Sequence, residues 1–142
     1  MATIDDFHFL VGETLMYCQC IENDIKWIDA GMLSGDCDEN YETVSEKPLG
    51  SVLKKLEILD NSDGNPHFST ADYDLLDKIR DIRNHWAHKA YINFVYKSNQ
   101  REYDSCFLKE YRRLQNDHNR LKRLSGNIET VRLDVLKKYN RI

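Results

Sequence analysis

Apolar side chains recur every three to four residues from Ile4 to Met32, and this spacing holds for about eight helical turns. The stripe consists of Phe7, Leu10, Val11, Leu15, Cys18, Ile21, Ile25, Ile28 and Met32. An α-helix keeps such a stripe on one face, and the face must be covered by other elements. The pattern therefore predicts one long helix, ending near Gly31 and Gly35, inside a larger helical assembly.

The carboxyl-terminal part of the chain carries a second long pattern. Apolar residues repeat there every seven positions, at Phe107, Leu114, Leu121, Ile128 and Val135. The stretch "LSGN" (residues 124–127) could divide this segment into two helices, although the repeat continues through its glycine.

Two further helices are predicted between these segments. "PLGSVLKKLEIL" places Pro48 favourably in a first turn, and "STAD" resembles a capping box that starts a helix from about Thr70 to Tyr96. The polar stretch "CDENYETVSEK" is expected to be a loop or a frayed lead-in, and "DNSDGNPHF" a loop. With no two-residue alternation, the sequence predicts an all-α bundle of four or five helices, forming a single domain of residues 1–142.

Charge is distributed unevenly along the chain. The net charge is −4, but residues 1–99 carry 9 Lys/Arg against 18 Asp/Glu, and residues 100–142 carry 11 against 6. The basic excess is concentrated between Lys109 and Leu124. This segment could hold a polyanion, or it could be a solvated helix face with ion pairs between successive turns.

The remaining bulk features point to the cytoplasm. The four cysteines show no CxxC spacing, so free thiols are expected. The amino terminus is acidic where a signal peptide would be basic, and no apolar run is long enough to cross a bilayer. His8, His67 and His118 have no evident partners and are expected at ordinary surface or helix positions.

The stretch "IRNHWAHKAY" (residues 82–91) crowds polar residues around a tryptophan in the third predicted helix. At 100° per residue, Ile82, Trp86 and Ala90 continue the core stripe begun by Leu75 and Ile79. Asn84 and His88 fall one turn apart on the opposite face, which the same geometry assigns also to Asp77, Asp81, Tyr91 and Val95. Arg83 and His85 lie at the two edges of the core. This mixed outer face is expected to dock, most simply on a second copy of the helix.

An arginine and a histidine can together cleave an RNA phosphodiester without a metal ion. Imidazole exchanges protons near neutral pH, and a guanidinium ion can bind two phosphoryl oxygens where negative charge builds up. Spacing alone is weak evidence, since chance gives about 0.3 Arg-x4-His matches in such a chain. Three occur here: Arg80 with His85, Arg83 with His88, and Arg113 with His118.

The residues flanking the second pair distinguish it. "RNHWAH" resembles the Arg-Asn-x-x-x-His signature of the HEPN superfamily, and the helices before and after it resemble that family's layout. The resemblance implies that Arg83 and His88 are catalytic, accompanied by Asn84. It further implies a helical homodimer with facing motifs and metal-independent endoribonuclease activity on RNA, as in toxins paired with an antitoxin or effectors of antiphage defence.

In some of these toxins a tyrosine follows the histidine by two residues. Here that position is Ala90, so regulation by tyrosine adenylylation is not assumed.

Two other interpretations remain open at the level of sequence. Asp81, His85 and His88 have spacings that could bind a metal ion, although no second His/Glu constellation accompanies them, and no metal or cofactor is expected. Alternatively, the chain is a non-enzymatic helical dimerisation or regulatory module, in which Arg83 pairs with an acid such as Asp77 or Asp81 and His88 packs in an interface.

Overall fold

The computed structural model describes residues 2–142 and contains five helices. They are α1 (Ile4–Met32), α2 (Cys37–Ser45), α3 (Leu49–Asn61), α4 (Thr70–His88) and α5 (Gln100–Lys138). No strand occurs in these residues, so the prediction of an all-α fold is confirmed. None of the helices described is both long and apolar enough to cross a membrane.

Helices α1 and α5 run side by side in the same direction. Glu13 meets His118 near the start of the pair, and Asp24 meets Arg132 further along. Near the end, the backbone of Gly31 approaches α5 so closely that a Cβ at this position would lie 3.1 Å from the Leu136 side chain. Because the two helices are parallel, the chain between them must return, and α4 provides that return segment.

Both long helices agree with the sequence pattern. Helix α1 begins and ends where the apolar stripe predicts, and Thr3 and Asp6 close its first turn as a capping box. Helix α5 is continuous through "LSGN", and the heptad residues Leu114, Leu121, Ile128 and Val135 are fully buried. One apolar cluster lies between α1, α3, α4 and α5, and a second surrounds Phe7; Ile82 contacts both.

The expectation of a loop at "CDENYETVSEK" is wrong, because Cys37–Ser45 forms helix α2. The Asp36 side chain caps it by accepting the backbone N–H of Glu39 at 3.0 Å. Val44 is its single buried residue, and Tyr41 stacks on Trp27 of α1 with ring centroids 3.8 Å apart. A nine-residue helix with one buried side chain does not show a periodic pattern of apolar residues, so the sequence does not indicate it.

Helix α4 starts as predicted but ends earlier. Ser69 and Asp72 form the capping box expected from "STAD". The helix stops at His88 instead of Tyr96, and residues 90–96 form successive turns. There Tyr91 and Phe94 both pack edge-on against Phe7, with centroids 5.4 and 5.2 Å away. Neither Gly nor Pro marks this end, so tertiary packing, and not a local signal, ends the helix.

A buried carboxylate fastens the loop before α4. Asp60, near the end of α3, accepts the backbone N–H groups of His67 and Phe68 and the hydroxyl of Tyr73 at 2.7, 3.1 and 2.6 Å. Burial and the adjacent Asp60 raise the pKa of the Tyr73 hydroxyl, which keeps this donor protonated. His67, expected at an ordinary surface position, also contacts Asp60 through its ring.

We expect Asp60→Ala to lower the free energy of unfolding by about 3 kcal/mol, because it leaves buried donors without an acceptor. Urea denaturation followed by circular dichroism measures this. Asp63→Ala is the control in the same loop; it removes only exposed contacts, to the Asn65 N–H and to Lys138, and should cost much less. Equal losses for the two variants would contradict the role given to Asp60.

Candidate active site on helix α4

Trp86 anchors the motif-bearing end of α4 in the core. Its side chain is 1% exposed, and its indole N–H donates a hydrogen bond of 2.8 Å to Asp117 of α5. The guanidinium of Arg113 lies over the same ring, 5.8 Å from a ring centroid. These contacts fix the rotation of α4 about its axis, and therefore which of its residues face solvent.

Arg83 lies at the edge of the core, as the sequence predicts, and pairs with an acid from another helix. Its guanidinium bonds to the carboxylate of Glu22 on α1, and its side chain remains 34% exposed. The pair borders a cavity of about 770 Å³ that is also lined by Lys26, Lys47 and Arg80. Glu22 is the residue that sequence reasoning missed, because it is 61 positions away and no local pattern links it to Arg83.

A protonated thiol lies beside this ion pair. Burial, followed by the charge of Glu22, raises the pKa of Cys18 to about 12, although Arg83 opposes the shift. Since this is far above neutral pH, the thiol keeps its proton, and Cys18 does not act as a nucleophile here.

Asn84 and His88 are exposed, as predicted, and are separated by one turn of α4. Within the described part of the chain, neither side chain makes a hydrogen bond in the structure. His88 is the last residue of the helix, since Lys89 leaves helical geometry with φ −128° and ψ 10°. Both side chains are therefore free to meet a ligand.

The structure distinguishes the three Arg-x4-His matches. His85 is held by Glu110 of α5, with a ring nitrogen 3.3 Å from the carboxylate, and its side chain is 12% exposed. His118 lies on α5, is 10% exposed, and has a ring nitrogen 2.6 Å from Glu13, a partner that the sequence did not indicate. His88 is exposed, and no carboxylate within residues 2–142 pairs with it. Of the three histidines, His88 is thus the one accessible to a substrate.

One protomer does not bring Arg83 and His88 together. Five residues along a helix correspond to about 7.5 Å of rise and about 140° of rotation, and Arg83 turns to α1 instead of reaching round towards His88. Tyr91 was predicted on the same outer face as His88, and this is wrong because α4 ends first. The Tyr91 hydroxyl instead lies 2.6 Å from Nδ1 of His8, and burial raises its pKa.

The metal-binding alternative finds no support in the geometry. Among residues 2–142, no three His, Cys, Asp or Glu side chains are arranged to hold a metal ion. His85, the central residue of the candidate set, turns towards Glu110, while Asp81 and His88 face solvent.

Comparison with protein-family models, with curated proteins and with solved structures gives no match for this chain.

Because His88 is exposed and unbonded, we expect His88→Ala to change the free energy of unfolding by less than about 0.5 kcal/mol. Trp86→Phe should lower it by about 1–3 kcal/mol, because Asp117 then loses its buried donor. Chemical denaturation of both variants tests the contrast. A large loss for His88→Ala would show that this side chain stabilises the fold and is not free.

Proposed function

We propose that the chain is a metal-independent endoribonuclease of HEPN type, with His88, Arg83 and Asn84 as its active-site residues. The observation that carries the proposal is the selective exposure of His88 among the histidines that match the motif. The all-helical fold and the position of Asn84 one turn away support it. The physiological role that the motif implies is that of a toxin, with an antitoxin as a further partner, or of an antiphage-defence effector.

The reaction needs a base, an acid and stabilisation of charge. The 2′-oxygen of one nucleotide attacks the adjacent phosphorus, and the bond from phosphorus to the 5′-oxygen of the next nucleotide breaks. His88 of one copy accepts the 2′-hydroxyl proton as the base. Protonated His88 of the second copy donates a proton to the leaving 5′-oxygen as the acid. The products are a 2′,3′-cyclic phosphate and a 5′-hydroxyl, and no metal ion takes part.

Arg83 stabilises the negative charge that builds up on the phosphoryl oxygens. To do so it exchanges the Glu22 carboxylate for the phosphate. The Arg83 side chain is 34% exposed, so a phosphate can approach its guanidinium from solvent and replace the carboxylate as its partner. Glu22 thus holds the guanidinium in place until a substrate arrives.

A homodimer supplies the second half of the site. In one protomer the two residues diverge around α4, so the proposal places Arg83 and His88 of two copies on a shared cleft. Three exposed apolar residues, Ile92, Val95 and Tyr96, lie four to eight positions after His88, and Tyr96 is 82% exposed. Such a group beside the motif suits contact with a second copy.

The ion pair with Glu22 also favours a second candidate function. In a non-enzymatic dimerisation or regulatory module, Arg83 would serve only to fasten α4 to α1, and its partner would be Glu22 rather than Asp77 or Asp81. The two functions predict different effects of removing the Glu22 carboxylate. In the enzyme Arg83 must leave Glu22 to bind the phosphate, so cleavage survives the change. In the module the Arg83–Glu22 pair only stabilises the fold, so the change lowers stability alone.

We expect wild type to cleave a labelled RNA in EDTA and to leave 2′,3′-cyclic phosphate ends. Arg83→Ala and His88→Ala should each lower the rate by about 10²–10³ or more. Glu22→Gln is the matched control for Arg83: it breaks the same ion pair but should retain or increase cleavage. If neither wild type nor Glu22→Gln cleaved RNA, and Arg83→Ala and Glu22→Gln lowered the free energy of unfolding equally, the module interpretation would replace the enzyme.

We expect light scattering to give a dimer mass for wild type and a monomer mass for Val95→Asp/Tyr96→Asp, with cleavage lost. The paired charges oppose burial of this surface in a dimer. Ile58→Asp is the control, since Ile58 is 73% exposed on α3, and this variant should stay dimeric and active. A wild-type monomer that cleaves RNA would exclude the shared site.

A further inference from the structure

Helix α5 presents a solvent-facing surface with a strong positive charge. A shallow concavity of about 580 Å³ is lined by Lys109, Arg112, Arg113 and Arg120, together with Leu108, Asn116 and the acidic Asp117. We call this surface the cationic face of α5. From Lys109 to Arg120 it extends for about 16 Å along the helix.

The carboxylates of this stretch do not neutralise the face. Asp117 is mostly buried and accepts the indole N–H of Trp86, with Arg120 at 3.8 Å from its other oxygen. Glu110 is also buried and turns to His85. Within the described residues, neither Lys109 nor Arg112 has an acidic partner within ion-pair distance. The ion pairs between successive turns that a merely solvated face would use are thus largely absent from this part of the structure.

The cationic face begins at the edge of the motif. Glu110 and Asp117 contact His85 and Trp86 of α4, and Arg113 lies over the Trp86 ring. His88 is about 60° from His85 around α4, on the side turned away from the core. The end of α4 that carries His88 therefore packs on the same stretch of α5 as the cationic face.

We infer that the cationic face of α5 binds the sugar–phosphate backbone of single-stranded RNA and directs it to His88; this inference rests on the proposed function. Three of its four cations are arginines, whose planar guanidinium groups can bind two phosphoryl oxygens at once. Asn116, exposed beside them, offers further hydrogen bonds to sugar and phosphate.

The test is equilibrium binding of a fluorescent 2′-O-methyl RNA oligonucleotide, which lacks the attacking hydroxyl and cannot be cleaved. Arg112→Gln/Arg120→Gln should weaken binding about 25-fold at roughly 0.1 M salt, and the slope of log affinity against log salt should fall by about 1.4. Lys54→Gln/Lys137→Gln, which removes the same charge from exposed positions elsewhere, is the matched control and should bind as wild type does. Circular dichroism and the melting temperature confirm that each variant is folded.

Equal affinities for wild type and Arg112→Gln/Arg120→Gln, equal losses in the two double variants, or no RNA binding by wild type would each overturn the inference. Its failure is distinguishable from failure of the proposed function. If ordinary RNA binds through this face but is not cleaved, the RNA-binding inference holds and the proposed nuclease activity is wrong. If Arg112→Gln/Arg120→Gln cleaves RNA normally and binds it with unchanged affinity, the proposed nuclease activity holds and the RNA-binding inference is wrong.

Discussion

The parallel contact between α1 and α5 is the constraint on which the other features depend. Two parallel helices cannot be joined by a short turn, so the intervening chain must travel back along them. Helix α4 makes this return, and its end is held by a buried indole that bonds to a buried carboxylate of α5. Because an unsatisfied buried donor or acceptor is costly, this bond selects one rotation of α4.

The rotation of α4 determines the chemical character of each motif residue. Once Trp86 points at α5, Arg83 must face α1 and Asn84 and His88 must face outwards, since successive residues turn by about 100°. The same rotation brings His85 to Glu110 and sets the cationic face of α5 beside the motif. A structural tryptophan thus positions the side chains on which the proposed chemistry depends.

Much of the helical framework could be predicted because its apolar spacing is regular over many turns. This held for α1 and α5, and for the capping box that starts α4. Helix α2 was missed because a single buried valine leaves no period to recognise. The end of α4 was missed because Tyr91 and Phe94 turn onto Phe7 from a distant segment, and no local residue signals that contact.

For the candidate site, the sequence alone determined the helical face that carries Asn84 and His88, because helical geometry fixes the angle between residues on one element. It did not determine which of three Arg-x4-His pairs has an accessible histidine. Tertiary structure decided that by placing Glu110 and Glu13 against His85 and His118, and Glu22 against Arg83. The reason is physical: these partners come from other helices, and their proximity depends on how the helices pack and not on the order of residues in any one of them.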